Sequence, residues 1–148
     1  MLKKILIIII TLLPAFSFAK GSITPLKPDD AFILSVKVTG SHSLRAEWKM
    51  PPGYFLYAKR MQLSADAPVI VKANMPVAKR IKGLDGEPED AYIGKLSIPA
   101  TLQAEGPLPD HIQLTVKYQG CAKDGYCYPP MKKTFALNMT AQSATYQE

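Results

Sequence analysis

The chain carries two cysteines, Cys121 and Cys127, six positions apart in the stretch KYQGCAKDGYCYPPMKK. Such a pair can close a structural bridge, help hold a metal, or exchange electrons with other thiols. The spacing is neither the C-x-x-C of a thioredoxin-type site nor half of a zinc-finger pattern. A zinc site would be two ligands short, because His42 and His111 are remote in sequence. Methionines suit Cu(I), but no Met-x-x-Met or His-x-Met cluster occurs, and Met50 and Met139 fall in phase with core-facing positions. No metal and no cofactor are expected, and no Ser/His/Asp set can be assembled.

The elements around the pair read as strands. Phe32, Leu34, Val36 and Val38 alternate with Ser35, Lys37 and Thr39, Ile33 being the one apolar intruder. Leu44, Ala46, Trp48 and Met50 alternate without exception with polar residues, as do Ile112, Leu114, Val116 and Tyr118. Phe135, Leu137 and Met139 make a last set, and residues 54–57, 69–72 and 93–98 are shorter candidates. Period-2 alternation is the mark of strands with one face in a core and one in water. Thirteen prolines, spread largely between these runs, leave no amphipathic helix of any length. Around seven short antiparallel strands in about 129 residues predict an all-β, immunoglobulin-like antiparallel β-sandwich. Residues 79–91, with little periodicity and with Gly83, Gly86 and Pro88, read as a long loop.

Tyr118 ends one alternating strand and Lys132 starts another, so the cysteine pair lies on a late hairpin. Cys121 and Cys127 then stand on opposite arms of residues 119–131, and Asp124-Gly125 supplies the turn. A disulfide needs Cα atoms about 4.4–6.8 Å apart, which residues facing across a hairpin can meet. The loop closed is about seven residues, and cross-linking entropy grows only with the logarithm of loop length. A small bridge of this kind adds little to a domain with its own core. Spacing alone leaves a staple and a working site balanced.

Residues 1–19 form a secretory leader: Lys3 and Lys4, an apolar run from Ile5 to Leu13, then Ser17-Phe18-Ala19 as a cleavage site. The mature domain is then 20–148. Its removal lowers the net charge from +6 to about +4, a mild basic excess that points to an acidic partner rather than nucleic acid. Export to an oxidising compartment, with a bacterial periplasm the first choice, lets a disulfide persist. A monomer is expected.

The cysteine hairpin, Tyr118-Gln119-Gly120-Cys121-Ala122 and Gly125-Tyr126-Cys127-Tyr128-Pro129-Pro130, resembles the active-site hairpin of the N-terminal periplasmic domain of the thiol:disulfide interchange protein DsbD. Three further segments resemble that family in the same order: Pro28 to Phe32, Gly53 to Tyr57 with Lys59, and Asp90 to Lys95. The resemblance implies an immunoglobulin-like fold whose cysteine pair cycles between dithiol and disulfide. It implies Cys127 as the residue forming a mixed disulfide and Cys121 as the one resolving it. It places Asp90, Tyr92 and Gly94 in a cap loop, with Tyr92 over the sulfurs and Asp90 raising a thiol pKa. Phe55, Tyr57, Tyr126 and Tyr128 would wall the pocket, although Phe55 and Tyr57 read equally well as core aromatics. Ala91 stands where the family can carry a second acid. Implied donors are a thioredoxin-like domain or a membrane thiol reductase, supplied as a separate protein. Implied acceptors are disulfide isomerases and thiol proteins of cytochrome c maturation. The rival reading is a sandwich-fold binding or chaperone module whose bridge is only structural.

Overall fold

A computed structural model describes residues 24–66 and 68–148. The expected leader, residues 1–19, lies outside the described residues. A single helical turn, α1 (Pro28–Ala31), leads into β1 (Ile33–Gly40) and β2 (Ser43–Lys49), paired as an antiparallel hairpin. β3 (Tyr54–Tyr57) passes through a 3-10 turn (Ala58–Arg60) to β4 (Gln62–Ala65) and β5 (Ile70–Ala73). β6 (Lys79–Lys82), β7 (Pro88–Ile93) and β8 (Lys95–Gln103) follow, then β9 (His111–Tyr118), β10 (Gly120–Ala122), β11 (Met131–Asn138) and β12 (Ser143–Gln147).

These strands form three antiparallel sheets in the orders β1-β2-β8-β5, β12-β11-β9-β4 and β10-β3-β7-β6. The first two face each other and make the sandwich. Val36, Leu44, Ala46, Trp48, Leu96 and Ile98 of one pack in a single core with Ile112, Leu114, Val116, Phe135 and Leu137 of the other. The Trp48 and Tyr118 rings meet edge to face at 5.8 Å across the layer, the geometry aromatic pairs favour. The strictly alternating burial of β8 and β9 is what places every second side chain in that core.

Three sequence readings are corrected here. Residues 79–91 are no loop: they contain the β6–β7 hairpin, turning at Gly83–Glu87, where the Gly83 N–H donates to the Glu87 carbonyl at 2.7 Å. β6 is an edge strand with three of its four residues exposed, so the ladder to β7 holds it and its side chains show no alternation. The candidate strand 93–98 straddles a break at Gly94, φ +75°, where the chain leaves one sheet for another. Prolines also enter strands. Pro99 sits inside β8 opposite Arg45, and its carbonyl accepts from the Asn74 N–H just beyond the end of β5. A strand residue's N–H and C=O point to the same side, so the missing N–H faces that open end and no bond to β2 is lost.

Candidate functional site

The third sheet has two different faces, and its register decides which residues share them. Cys121 pairs with Phe55, which pairs with Ile93; Gly120 pairs with Leu56, which pairs with Tyr92. Residues directly opposite in an antiparallel ladder project to the same side, and sequence neighbours to opposite sides. One face therefore carries Tyr54, Leu56, Tyr92 and Ala122, all of them in the main core. The other carries Cys121, Phe55 and Ala91 as a small separate cluster, with Tyr57, Ile81 and Ile93 packed against it.

Cys121 and Cys127 are joined as a disulfide, with Cα atoms 4.1 Å apart and facing each other as an isolated antiparallel bridge. Between them the Gly125 N–H donates to the Ala122 carbonyl at 3.1 Å, and the Ala122 N–H donates to the Tyr126 carbonyl at 2.7 Å. This is a three-residue hairpin loop whose last residue, Gly125, takes the positive φ of +98° that such loops favour. The hairpin is tied down at several points. The Lys123 N–H donates to the Gly53 carbonyl, the Tyr128 N–H to the Gly120 carbonyl, and the Gln119 side-chain amide to the Tyr128 carbonyl. Gly120 is where the hairpin lies tight against the sheet. A Cβ there would sit 2.3 Å from the Phe55 carbonyl oxygen and 2.6 Å from the Phe32 ring.

The two cysteines differ in exposure. Cys121 is fully buried, whereas Cys127 is exposed beside the half-exposed Tyr126. The Tyr57 hydroxyl lies 3.5 Å from Cys121 Sγ, and because a disulfide sulfur has no hydrogen, the hydroxyl is the donor. The Phe55 and Tyr57 rings meet edge to face at 5.2 Å on the same side as the cysteine. Burial, then the carboxylates of Glu89 and Asp85, push the Tyr57 phenol up from its usual range.

Other residues of the expected site lie elsewhere. Tyr92 is on the core face, opposite to the face that carries Cys121, and its hydroxyl donates to the Pro76 carbonyl at 2.9 Å. Asp90, one residue away from the cysteine face by parity, is ion-paired with Arg80 at 2.8 Å on the Tyr92 side. The acids near the Tyr57 hydroxyl are Glu89 and Asp85, which sequence reading passed over. The alternation Glu89-Ala91-Ile93 against Asp90-Tyr92 was the signal, once residues 79–91 are read as strands. Gly94 lies outside the third sheet's strands. Tyr128 belongs to the core: its ring meets Phe32 edge to face at 5.1 Å, and its hydroxyl donates to the Leu26 carbonyl at 2.6 Å. Tyr54 accepts from the Leu26 N–H at 3.0 Å, so the two phenols clamp the start of the described chain to the hairpin's base. Burial first, then the hydrogen bond with Tyr54, pushes the Tyr128 phenol up to about 12.

The family described as "Thiol:disulfide interchange protein DsbD, N-terminal" matches residues 23–139. Similar relatives include DsbD of Cronobacter sakazakii, 33% identical over 66% of this chain and 16% of that protein. DsbD of Escherichia coli K12 is 31% identical over 74% of this chain and 19% of its own length. DsbD of Citrobacter koseri is 28% identical over 97% and 25%. This chain thus spans a quarter or less of these curated relatives. Among solved structures, the reduced N-terminal domain of Neisseria meningitidis DsbD superposes with a TM-score of 0.68 at 17% identity, covering 83% of this chain and 95% of that one. The same domain in complex with the PilB N-terminal domain gives 0.63 at 17% identity, covering 75% and 85%. These likenesses bear out the immunoglobulin-like all-β fold with a late cysteine pair.

Proposed function

From its membership of the DsbD N-terminal domain family, to which this chain belongs, we propose that it is a periplasmic thiol–disulfide exchange module working through Cys121 and Cys127. The observation that carries the reading is the asymmetry of the bridge: one cysteine is buried and the other is exposed. A thiolate of a reduced, thioredoxin-like donor attacks Cys127 Sγ in line with the S–S bond. A donor–Cys127 mixed disulfide forms, and Cys121 leaves as a thiolate that takes up a proton. The donor's second thiolate then attacks its own sulfur in the mixed disulfide and releases Cys127. Two electrons and two protons have moved, the donor is oxidised, and the pair is a dithiol. The Cys127 thiolate next attacks an acceptor's disulfide, and Cys121 resolves that intermediate, restoring the bridge. Disulfide isomerases and cytochrome c maturation thiol proteins fit the acceptor role.

Tyr57 acts on the leaving sulfur. Its hydroxyl donates to Cys121 Sγ and so favours the thiolate that departs, while the carboxylates of Glu89 and Asp85 oppose negative charge there. The apolar surround of Phe55, Ala91, Ile81 and Ile93 keeps water from Cys121. The Neisseria domain solved with a PilB N-terminal domain supports the reading that such a module docks a second protein. The leader reading of residues 1–19 would deliver the domain to the periplasm. Among the described residues no helix is long and apolar enough to cross a membrane.

The test is to express Cys121→Ala and Cys127→Ala in an exporting cell and run non-reducing gels. The reading expects covalent partners with Cys121→Ala, which keeps the exposed thiol, and far fewer with Cys127→Ala. A bridge that resists thioredoxin-like proteins, with no adduct on either variant, would establish the structural-bridge reading instead.

A further inference from the structure

The root of the cysteine hairpin carries a concentration of positive charge that the fold does not explain. On the outer face of the β12-β11-β9-β4 sheet, Lys132 of β11 lies directly opposite Lys117 of β9, which lies opposite Gln62 of β4. All three are exposed. Like charges directly opposite in a ladder destabilise it. The 3-10 turn that follows Tyr57 adds Lys59 and Arg60, both exposed. Lys59, Arg60, Gln62 and Lys117 line a cleft of about 410 Å³ together with Gln119 and Pro130, and no carboxylate lines it. Among the described residues none of Lys59, Arg60, Lys117 and Lys132 is in an ion pair. The opposite sheet offers a contrast. There Lys49 also faces Lys95, but the cleft beside them includes Glu47.

The cleft adjoins the exchange site. Gln119 is two residues before Cys121 and donates to the Tyr128 carbonyl on the other arm, and Pro130 is three residues after Cys127. At no more than about 3.6 Å per residue, Pro130 lies within about 11 Å of Cys127. A partner covering about 800 Å² of this protein has a footprint roughly 30 Å across, wide enough to reach both. Repulsive lysines with no acid among them gain most from carboxylates brought by a partner.

We propose that the cleft lined by Lys59, Arg60 and Lys117, with Lys132 opposite Lys117 on the neighbouring strand, is a docking site for an acidic segment of the exchange partner, holding its carboxylates while its thiol meets Cys127. The inference rests on the exchange reading of Cys127. It makes the positive cleft a selector: thiols flanked by acids are favoured, and thiols flanked by bases are disfavoured.

The probes are two peptide thiols, with four acidic residues starting two positions after or before the cysteine, and their lysine counterparts. Reduction of the bridge is followed by stopped flow, each rate divided by that with dithiothreitol on the same variant. At 20 mM ionic strength at least one acidic peptide should be about tenfold faster than its lysine counterpart, falling to within about twofold at 0.5 M salt. Arg60→Gln/Lys117→Gln/Lys132→Gln should remove the advantage, and Lys49→Gln/Lys95→Gln should keep it. Equal rates for both charge types at low salt overturn the proposal, as does an advantage that survives the triple substitution. A thiol-free acidic peptide separates this failure from failure of the exchange reading. If dithiothreitol does not open the bridge in the folded protein, the exchange reading falls. The cleft then stands or falls on whether that peptide shifts the amide resonances of Lys117 and Lys132.

Discussion

The two faces of the β10-β3-β7-β6 sheet use the same short strands for different ends. Toward the sandwich, Tyr54, Leu56, Tyr92 and Ala122 complete the main core and fix the sheet in place. Away from it, Phe55, Tyr57, Ala91, Ile81 and Ile93 surround one cysteine of a bridge whose other cysteine is exposed. Because successive side chains alternate, the main core and the surround of the bridge are separated residue by residue along one backbone. A change on one face should be felt as stability, and a change on the other as exchange rate.

Leu56→Ala should test this most severely. Leu56 is fully buried, and truncating such a side chain costs about 2–5 kcal/mol. Denaturant unfolding should show that loss, while the reduction rate of the molecules still folded stays within about twofold. Alkali comes next and acts on the same side. Burial pushes the phenols of Tyr118 and Tyr128 up to about 12 from an ordinary 10. Between these values the unfolded chain has lost protons that the folded chain keeps, so stability falls as pH rises. These groups contribute their full stabilisation below pH 10 and lose it by about pH 12. A pH series of unfolding free energies should fall across that window. Tyr92→Leu should cost about 2 kcal/mol through lost packing and the lost hydrogen bond to the Pro76 carbonyl, with the reduction rate unchanged. Faster reduction in the folded variant would instead make Tyr92 a cover for the sulfurs. Tyr57→Phe reverses the pattern. Stability should change by less than about 1 kcal/mol, while reduction slows about tenfold, since the hydroxyl no longer donates to the departing Cys121 sulfur.

The sandwich was readable because its strands are long and one-sided. The alternation of Leu44 to Met50 and of Ile112 to Tyr118 matches the burial of β2 and β9 residue for residue. Of the third sheet only β3 was found, at the expected residues 54–57; the rest was not, because the sheet is built from strands of three to six residues. β3 is buried on nearly every residue, since both faces are covered, and β6 is exposed on nearly every residue, since it is an edge. Neither condition leaves a period to read. The same gap explains the site. The family resemblance put a lid at Asp90-Ala91-Tyr92, but whether Tyr92 or Ala91 faces the sulfur depends on pairing with Leu56 and Tyr57. Cys121 and Cys127 needed only the turn between them, and for those two the sequence sufficed to predict a hairpin pair.

The central claim is that the bridge is opened from one side, at Cys127. The direct measurement is to treat the wild-type chain with a small, mass-tagged thiol at low occupancy, quench in acid, and map the tag by peptide mass spectrometry. The account predicts the tag on Cys127 in large excess over Cys121. A tag shared evenly, or found mainly on Cys121, would contradict it.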